Sequence, residues 1–269
     1  MTVFIVCHNA LPAYQLPEGS RIMWINPVMP DNPGGLDIIA GYDFFENPEI
    51  LHDKLSGCLG SLAVHRYLSA QTSFERSVTI WQYRKFVSLE PFGRASPNYP
   101  GMHLVTSAEM EPAQLAHPER LGYDYIFVKP LAINGIAHQY IRSHNAIDFL
   151  RYTLLMLQTG VLGQKQTMHY MNQQHLIPGG MELGTYPTAW WLEAYEKLSR
   201  PTLAFADQFS AFQPDDAYQR RAIAFCQERL GSYLLLSRAL ELKASGTTER
   251  NVFGIMHTVT QDQVYRGGR

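Results

Sequence analysis

The sequence predicts an α/β fold, with strands and helices following one another along a single domain of residues 1–269. Short apolar runs rich in β-branched residues are typical of buried strands, and residues 3–7 form the first. Between such runs, apolar residues recur every three or four positions, as they do on one side of a helix; residues 48–69 are the first example. With 46% hydrophobic residues, the chain can bury a sizeable core.

Composition excludes several classes of protein. The 22 basic residues are balanced by 24 acidic ones, which gives no support for binding nucleic acid. No run of 18 apolar residues indicates a membrane span, although peripheral contact with a membrane stays open. The N-terminus lacks the basic and apolar regions of a signal peptide. Three widely separated cysteines favour a reducing compartment, and so we expect a cytoplasmic protein.

The remaining elements follow from the same patterns. Strands are predicted at residues 22–28, 77–86, 104–106 and 125–128, and helices at residues 188–205 and 215–244. Residues 30–35 and 90–103 are rich in turn-forming residues and are predicted as loops, whereas the pattern of residues 38–45 fits no single type. The polar tail of residues 247–269 is expected either to cross a cleft or to be flexible.

The stretch 123–157 combines a strand, a break at Lys129-Pro130 and a long helical pattern. One apolar stripe runs along that predicted helix: Ile147, Leu150, Leu154 and Leu157. Beside it, Tyr140, His144 and Asp148 recur every four residues, which places them on nearly one face. Asp148 would then orient His144 at the border of a cleft. The alternative is a solvated face with an incidental ion pair.

Other candidate ligand-binding residues stand at predicted strand ends and in turns. His8 follows the first strand, where ligands bind in open α/β sheets. Arg84 and Lys85 beside Tyr83 suit an anionic ligand such as a diphosphate, unless they are a charge pair that faces water. Gly179 and Gly180 allow backbone to approach a ligand or a neighbouring strand.

Glu228 and Arg229 stand in a helix that is apolar on nearly all sides, so burial of both charges is expected. Buried charges need partners or a task, and the pattern leaves both open. The sequence contains no phosphate-binding loop, dinucleotide fingerprint, nucleophile elbow or zinc-protease motif. It also has no Asp-x-Asp.

Four blocks in order resemble a bacterial family of capsular-polysaccharide and exopolysaccharide glycosyltransferases. They are Val6-Cys7-His8; Gln82-Tyr83-Arg84-Lys85-Phe86, which is similar to a His-Tyr-Arg-Arg-Tyr block; Tyr123-Asp124 with Gln139-Tyr140 and His144; and Pro178 to Met181 with the FCQERL segment of residues 225–230. The chain departs from the family pattern at Gln82, Lys85 and Gly179-Gly180. Glutamine at position 82 keeps hydrogen bonding but loses a titratable group.

The resemblance implies a GT-A-like fold with a central mixed, mostly parallel sheet flanked by helices. It also implies a nucleotide-sugar donor, most simply a uridine diphosphate sugar, and a glycan or lipid-linked acceptor. The residues expected to bind the donor are His8, Tyr83, Arg84, Lys85, Tyr140, His144, Gly179, Gly180 and Arg229. The catalytic candidates are Glu228, Asp124 and Asp148, because an acceptor hydroxyl needs a base in an inverting reaction.

Two questions stay open at the level of sequence. Because Asp-x-Asp is missing, Mn²⁺ or Mg²⁺ would need to be held by Asp124 with a histidine, or basic side chains would replace the metal. Fixed cations near the leaving diphosphate would contribute most to the rate. The alternative to a transferase is a non-catalytic carbohydrate- or protein-binding module on a decayed transferase fold.

Overall fold

The structure is a computed structural model that describes residues 1–12, 14–31, 34–110 and 115–260. Its strands are β1 (Thr2–Cys7), β2 (Arg21–Trp24), β3 (Asp37–Ala40), β4 (Ser77–Gln82), β5 (Lys85–Ser88), β6 (Arg94–Ala95), β7 (Met102–Thr106), β8 (Tyr125–Val128), β9 (Leu131–Ala132), β10 (His175–Leu176), β11 (Gly184–Pro187) and β12 (Asn251–Thr260). Its α-helices are α1 (Pro48–Leu55), α2 (Cys58–Ser69), α3 (Ser107–Met110), α4 (Ile136–Ser143), α5 (Ala146–Gln158), α6 (Gln164–Asn172), α7 (Thr188–Gln208) and α8 (Ala222–Ser245).

The main sheet is mixed, as the family resemblance implies, and its strand order is β3-β2-β1-β4-β11-β8-β12-β7-β6. The strands β1 to β4, β8, β12 and β7 run in one direction, and β11 and β6 run against their neighbours. In addition, β5 pairs with both β4 and β12. The five strands β4, β5, β12, β8 and β11 therefore close a ring, which the resemblance does not imply.

Strand β1 shows why the first strands form where they do. Its residues from Val3 to Cys7 are all buried, and both β2 and β4 pair with it in parallel. A parallel strand covered on both faces is an unbroken apolar run, which is the pattern that predicts it. Helix α2 covers β1 closely, because a Cβ on Gly60 would lie only 2.1 Å from Val6 Cγ1.

Two predicted elements are divided in the structure, and a third is shorter than predicted. Residues 77–86 form a hairpin, since β4 ends at Gln82 and β5 begins at Lys85 after a two-residue turn. The predicted helix 48–69 breaks at Ser56, whose φ of 52° is left-handed. The predicted strand 22–28 ends early, at Trp24.

The helix predicted after Lys129-Pro130 is also divided. Helix α4 ends at Ser143, and α5 begins after Asn145, whose side chain accepts a hydrogen bond from Ile147 N–H (2.9 Å). Tyr140, His144 and Asp148 therefore do not share one helical line. The buried side of α5 carries Phe149, Tyr152, Leu155 and Met156. The predicted stripe at Ile147, Leu150, Leu154 and Leu157 is the exposed side instead.

The C-terminal tail corrects another expectation. Residues 251–260 form β12, which pairs with β5, β7 and β8 inside the sheet. This part of the tail is therefore neither a segment across a cleft nor an unpaired end. Residues 261–269 lie outside the described residues. Within the described part of the chain, no helix is both long and apolar enough to cross a membrane.

The contact between α2 and β1 gives a first prediction. Gly60→Ala should lower the free energy of unfolding by about 1–3 kcal/mol, because a methyl group at 2.1 Å from Val6 forces helix and strand apart. Urea unfolding measures this change. Gly57→Ala is the matched control, since its Cβ would meet its nearest neighbour at 3.7 Å; we expect a change within about 0.5 kcal/mol. Equal effects of the two substitutions would contradict the predicted packing.

Candidate functional site

A cleft of about 600 Å³ lies where β1 and β4 end, at the edge of the sheet where ligands bind in open α/β folds. Its walls come from the ends of β1 and β4, the junction of α1 and α2, the turn before β11 and the start of α8. The lining residues are Val6, His8, Asn9, His52, Ser56, Gly57, Cys58, Gln82, Tyr83, Arg84, Lys85, Tyr99, Gly179, Glu182, Leu183, Tyr218, Arg221, Ala224, Phe225 and Glu228. Other cavities exist, but this one is lined by residues that the sequence singles out as candidate ligand-binding residues.

The cleft has a basic wall. Arg84 comes from the turn between β4 and β5, Lys85 is the first residue of β5, and Arg221 is the residue before α8. Arg84 lies over the ring of Tyr83 (5.5 Å to the centroid), and Arg221 lies over that of Phe225 (5.3 Å). Neither arginine forms an ion pair with a carboxylate of the described residues. These two exposed guanidinium groups can therefore bind an anion.

His8 lies beside this basic wall and is held neutral. Burial, followed by the charges of His52, Arg221 and Arg84, lowers the pKa of His8 to about 4. Its ring stacks on that of His52 (5.8 Å between centroids) and meets Tyr83 edge-on. A neutral imidazole can both donate and accept a hydrogen bond, so His8 can contact a polar ligand without adding charge.

Glu228 lines the cleft from α8. Its Oε1 accepts a hydrogen bond from the N–H of Gly179 (2.7 Å), which fixes the carboxylate at the cleft. The backbones also lie close together, because a Cβ on Gly180 would be only 2.7 Å from the Glu228 carbonyl oxygen. Gly180 also has a φ of 52°, so position 180 requires glycine on two grounds. Gly180 therefore packs against helix α8 and does not line the cleft.

Glu182 is a second carboxylate that reaches the cleft, from the 3₁₀ turn Gly180–Glu182. It is only 8% exposed, and its Oε1 accepts a hydrogen bond from Gln227 Nε2 (2.6 Å). Burial, with a smaller contribution from the charge of Glu228, raises the pKa of Glu182 to about 7, and the hydrogen bond from Gln227 opposes the rise. A carboxyl group with this pKa can take up or release a proton near neutral pH.

The structure brings six of the predicted site residues together at the cleft: His8, Tyr83, Arg84, Lys85, Gly179 and Glu228. These belong to three of the four blocks that carry the family resemblance. The other block meets α8 behind the cleft, where Gln139 bonds to Arg229 and Tyr140 lies under the Arg229 guanidinium (4.9 Å).

Asp124 does not face the cleft, contrary to expectation. It precedes β8, at the edge of the sheet opposite to the one where β1 and β4 end. Its carboxylate pairs with Arg76 (2.7 Å) and accepts a hydrogen bond from Arg250 N–H (2.9 Å). This position removes Asp124 from contact with any ligand in the cleft.

Asp148 and His144 are also separated from the cleft and from each other. Asp148 is buried, and both its oxygens accept a hydrogen bond from Phe212 N–H (3.0 and 3.2 Å). It therefore fixes the loop after α7 and does not orient His144. His144 stacks on Phe225 at 4.0 Å, one side chain behind the cleft wall. Burial and the nearby Arg229 lower the pKa of His144 to about 3, so its ring is neutral.

Arg229 and Tyr140 are buried in the interior and do not line the cleft. Arg229 is 2% exposed, and its guanidinium donates to Gln139 Oε1 (2.6 and 3.0 Å) and to the carbonyl of Phe225 (2.6 Å). Its Nη1 lies 3.7 Å from Glu228 Oε2. Arg229 therefore ties α4 to α8 and stands behind the Glu228 carboxylate, which answers the question of what partners this buried charge has.

Sequence reasoning missed Glu182, His52 and Arg221. For Arg221 a signal was present, because Arg221, Phe225 and Glu228 are spaced i, i+4 and i+7 and so share a helix face. For Glu182 and His52 no local pattern indicates the cleft. Glu182 reaches it only because the turn before β11 packs against α8, and this contact joins residues far apart in sequence.

The residues do not fit the divalent-cation site that the resemblance allowed. Asp124 is paired with Arg76 at the far edge of the sheet. Among the described residues, no three His, Cys, Asp or Glu side chains are grouped so that they could share a metal ion. The cations of the cleft are instead Arg84, Lys85 and Arg221.

Comparison with known proteins agrees with an α/β transferase fold. No protein-family model matches the sequence, and no curated protein matches it significantly. The solved apo structure of WbbM, described as a bifunctional glycosyltransferase, matches 97% of this chain with a TM-score of 0.66 and 10% sequence identity. The chain spans 46% of the length of that structure. At this identity the likeness shows the fold alone: the chain has the fold of a glycosyltransferase.

The titration of Glu182 gives a second prediction. Because the pKa in the folded protein is about 7 and the ordinary value is 4.5, the folded state holds the proton longer than the unfolded state. The free energy of unfolding should therefore fall as the pH rises from about 5 to 8, and Glu182 should account for about 2–3 kcal/mol of the fall. Urea unfolding of Glu182→Gln at several pH values should show that this part is lost.

Glu241→Gln is the control for this measurement, because Glu241 is an exposed carboxylate of the same helix that carries Glu228. Its unfolding curve should follow that of the parent protein across the same range of pH. If Glu182→Gln also follows the parent curve, Glu182 does not titrate in the way described.

Proposed function

We propose that this protein is a glycosyltransferase that moves a sugar from a nucleotide diphosphate donor to a hydroxyl of a glycan or lipid-linked acceptor. One observation carries the proposal. In a chain with a glycosyltransferase fold, a single cleft is lined both by two arginines without carboxylate partners among the described residues and by two carboxylates, Glu182 and Glu228. A donor of this kind has an anionic end, which needs cations, and a reacting sugar, whose acceptor needs a base.

The basic wall suits the diphosphate. Arg84 and Arg221 can donate charge-assisted hydrogen bonds to phosphate oxygens, and Lys85 adds a third cation. As the bond between sugar and phosphate breaks, negative charge grows on the departing nucleoside diphosphate. Fixed cations at that position stabilise the transition state more than the ground state, which is the requirement for catalysis.

The carboxylates of the cleft, Glu182 and Glu228, suit the acceptor. Of the three carboxylates expected to act as base, only Glu228 lines the cleft. In an inverting reaction the Glu228 carboxylate takes the proton of the acceptor hydroxyl, whose oxygen bonds to the anomeric carbon while the donor phosphate leaves with the bonding electrons. Glu182, buried beside it with a pKa of about 7, can then accept or hold a proton close to Glu228.

The finer features follow the family resemblance and belong to the same proposal. They are a GT-A-like fold, a uridine diphosphate sugar as donor, a role in bacterial capsule or exopolysaccharide synthesis, and location in the cytoplasm. The directions of β1, β4, β8 and β12 and the place of the cleft at the ends of β1 and β4 support the first. Binding measured with and without Mn²⁺ addresses the cation.

A binding module on a decayed transferase fold is the second candidate. The observation in its favour is Gln82, which lines the cleft where the resembling family has a titratable histidine. Such a module would bind a glycan and turn over no donor. The two candidates differ in donor binding and in the need for Glu228.

Calorimetry with uridine diphosphate and a panel of nucleotide sugars tests the proposal. Arg84→Ala and Arg221→Ala should each weaken binding about tenfold or more, because each removes a charge-assisted contact with a phosphate. Glu228→Gln should bind the donor normally, because its amide oxygen can still accept from Gly179 N–H, but should transfer or hydrolyse it at least about 100-fold more slowly.

Arg200→Ala is the matched control, since Arg200 is a surface arginine of α7 paired with Glu196 (3.5 Å) outside the cleft. It should change neither binding nor turnover, and circular dichroism should be the same for all variants. Absence of any nucleotide binding by the parent protein would refute the transferase. Binding of a glycan alone, unaffected by Glu228→Gln, would favour the binding module.

A further inference from the structure

The outward side of α5 exposes four large apolar residues that the core does not use. Ile147, Leu150, Leu154 and Leu157 are 38%, 57%, 49% and 37% exposed, and their spacing of three, four and three residues aligns them along one face. The opposite side of α5 is already filled by buried aromatic and aliphatic side chains. The outward stripe therefore contributes little to folding.

Neighbouring elements add to this apolar surface. Ile141 on α4 is 51% exposed, and Met168 on α6 is 57% exposed; both helices pack against α5. Phe212, in the loop that Asp148 fixes beside α5, is 48% exposed. We call these seven residues on four adjacent elements the outer apolar surface. Clusters of exposed apolar side chains on this scale mark interaction sites in soluble proteins.

Charge in this region is strongly biased. Asp148 is the only acidic residue between positions 125 and 181, although the chain has 24 acidic residues, and Asp148 is buried. Arg142 and Lys165 are exposed on α4 and α6. Two acidic residues, Asp215 and Asp216, lie near the end of α4. They precede Gln219 in the chain, and the Gln219 side chain donates a hydrogen bond to the Ser143 carbonyl (3.4 Å).

We propose that the outer apolar surface docks on an anionic lipid bilayer, with α5 lying in the plane of the membrane interface. The stripe would enter the boundary between headgroups and acyl chains, as the apolar side of an interfacial helix does. Arg142 and Lys165 on the flanking helices would meet anionic headgroups.

Charge complementarity favours a bilayer over a second copy of this chain. Face-to-face pairing of two copies would bring Arg142 and Lys165 of one copy towards the same residues of the other, and like charges in an interface are unfavourable. An anionic bilayer offers the opposite charge together with an apolar layer. The proposal is independent of sugar transfer, because none of the residues of the outer apolar surface lines the cleft.

The test is co-flotation of the full chain with vesicles of phosphatidylcholine, alone or with about 25% phosphatidylglycerol. The chain should float with the anionic vesicles, and less so with neutral vesicles or at high salt. Leu150→Gln combined with Leu154→Gln should lower the partition coefficient about tenfold or more, because two apolar side chains no longer enter the bilayer. Arg142→Glu combined with Lys165→Glu should also lower it.

The matched control is Ile50→Gln combined with Leu240→Gln, which removes two side chains of the same kind that are each 64% exposed on α1 and α8. It should float as the parent protein does, and circular dichroism should be unchanged for every variant. Failure of the parent chain to float, or equal loss in the control, overturns the proposal. A concentration-dependent dimer that Leu150→Gln disperses, without flotation, would identify a second copy as the occupant instead.

Discussion

The backbone of Gly180 rests directly on the backbone of Glu228, and the acidic side of the cleft depends on this contact. A Cβ at Gly180 would lie 2.7 Å from the Glu228 carbonyl oxygen, and one at Gly231 would lie 3.1 Å from Met181 N. Because both positions are glycine, the turn before β11 can lie along α8 without a spacer. Gly179 N–H then reaches the Glu228 carboxylate, and Glu182 enters the cleft three residues later. One backbone contact thus positions both carboxylates.

The protonation of the cleft follows from this geometry together with burial. His8 stays neutral because it is buried next to cations, and Glu182 holds its proton to about pH 7 because it is buried next to another carboxylate. Charge in the cleft is therefore concentrated on the cations Arg84, Lys85 and Arg221 and on the carboxylate of Glu228. An anionic ligand would be attracted to the basic wall, whereas a cationic ligand would be repelled by it.

The sequence predicts local elements better than it predicts their ends and contacts. Strand β1 was predicted because burial on both faces gives an unbroken apolar run. Helix α7 was predicted because burial of one side gives apolar residues at helical spacing. The hairpin at Tyr83-Arg84 and the break at Asn145 were missed, because neither turn contains the glycine or proline that most strongly signals a turn. On α5 the pattern contained two apolar sides, and periodicity alone could not tell the buried side from the exposed one.

For the site as well, local features could be predicted from the sequence, whereas features that depend on long-range contacts could not. His8, Arg84, Lys85 and Glu228 follow from strand ends and from charges in apolar segments, which are visible in sequence. Asp124 was misplaced because the edge of the sheet at which a strand starts depends on the pairing of β8 with β11 and β12, which no local pattern encodes. Glu182 needed the long-range contact with α8.

Helix α8 also relates the cleft to the outer apolar surface. On one side, Glu228 and Phe225 line the cleft; on the other, Arg229 bonds to Gln139 of α4. His144, at the junction of α4 and α5, stacks on Phe225 at 4.0 Å, so one layer of side chains separates the cleft from the helices that carry the outer surface. If that surface docks on a bilayer, the cleft is held close to the membrane. Of the two acceptor classes proposed, a lipid-linked acceptor would then be favoured over a glycan free in solution, because its anchor would keep it near the cleft.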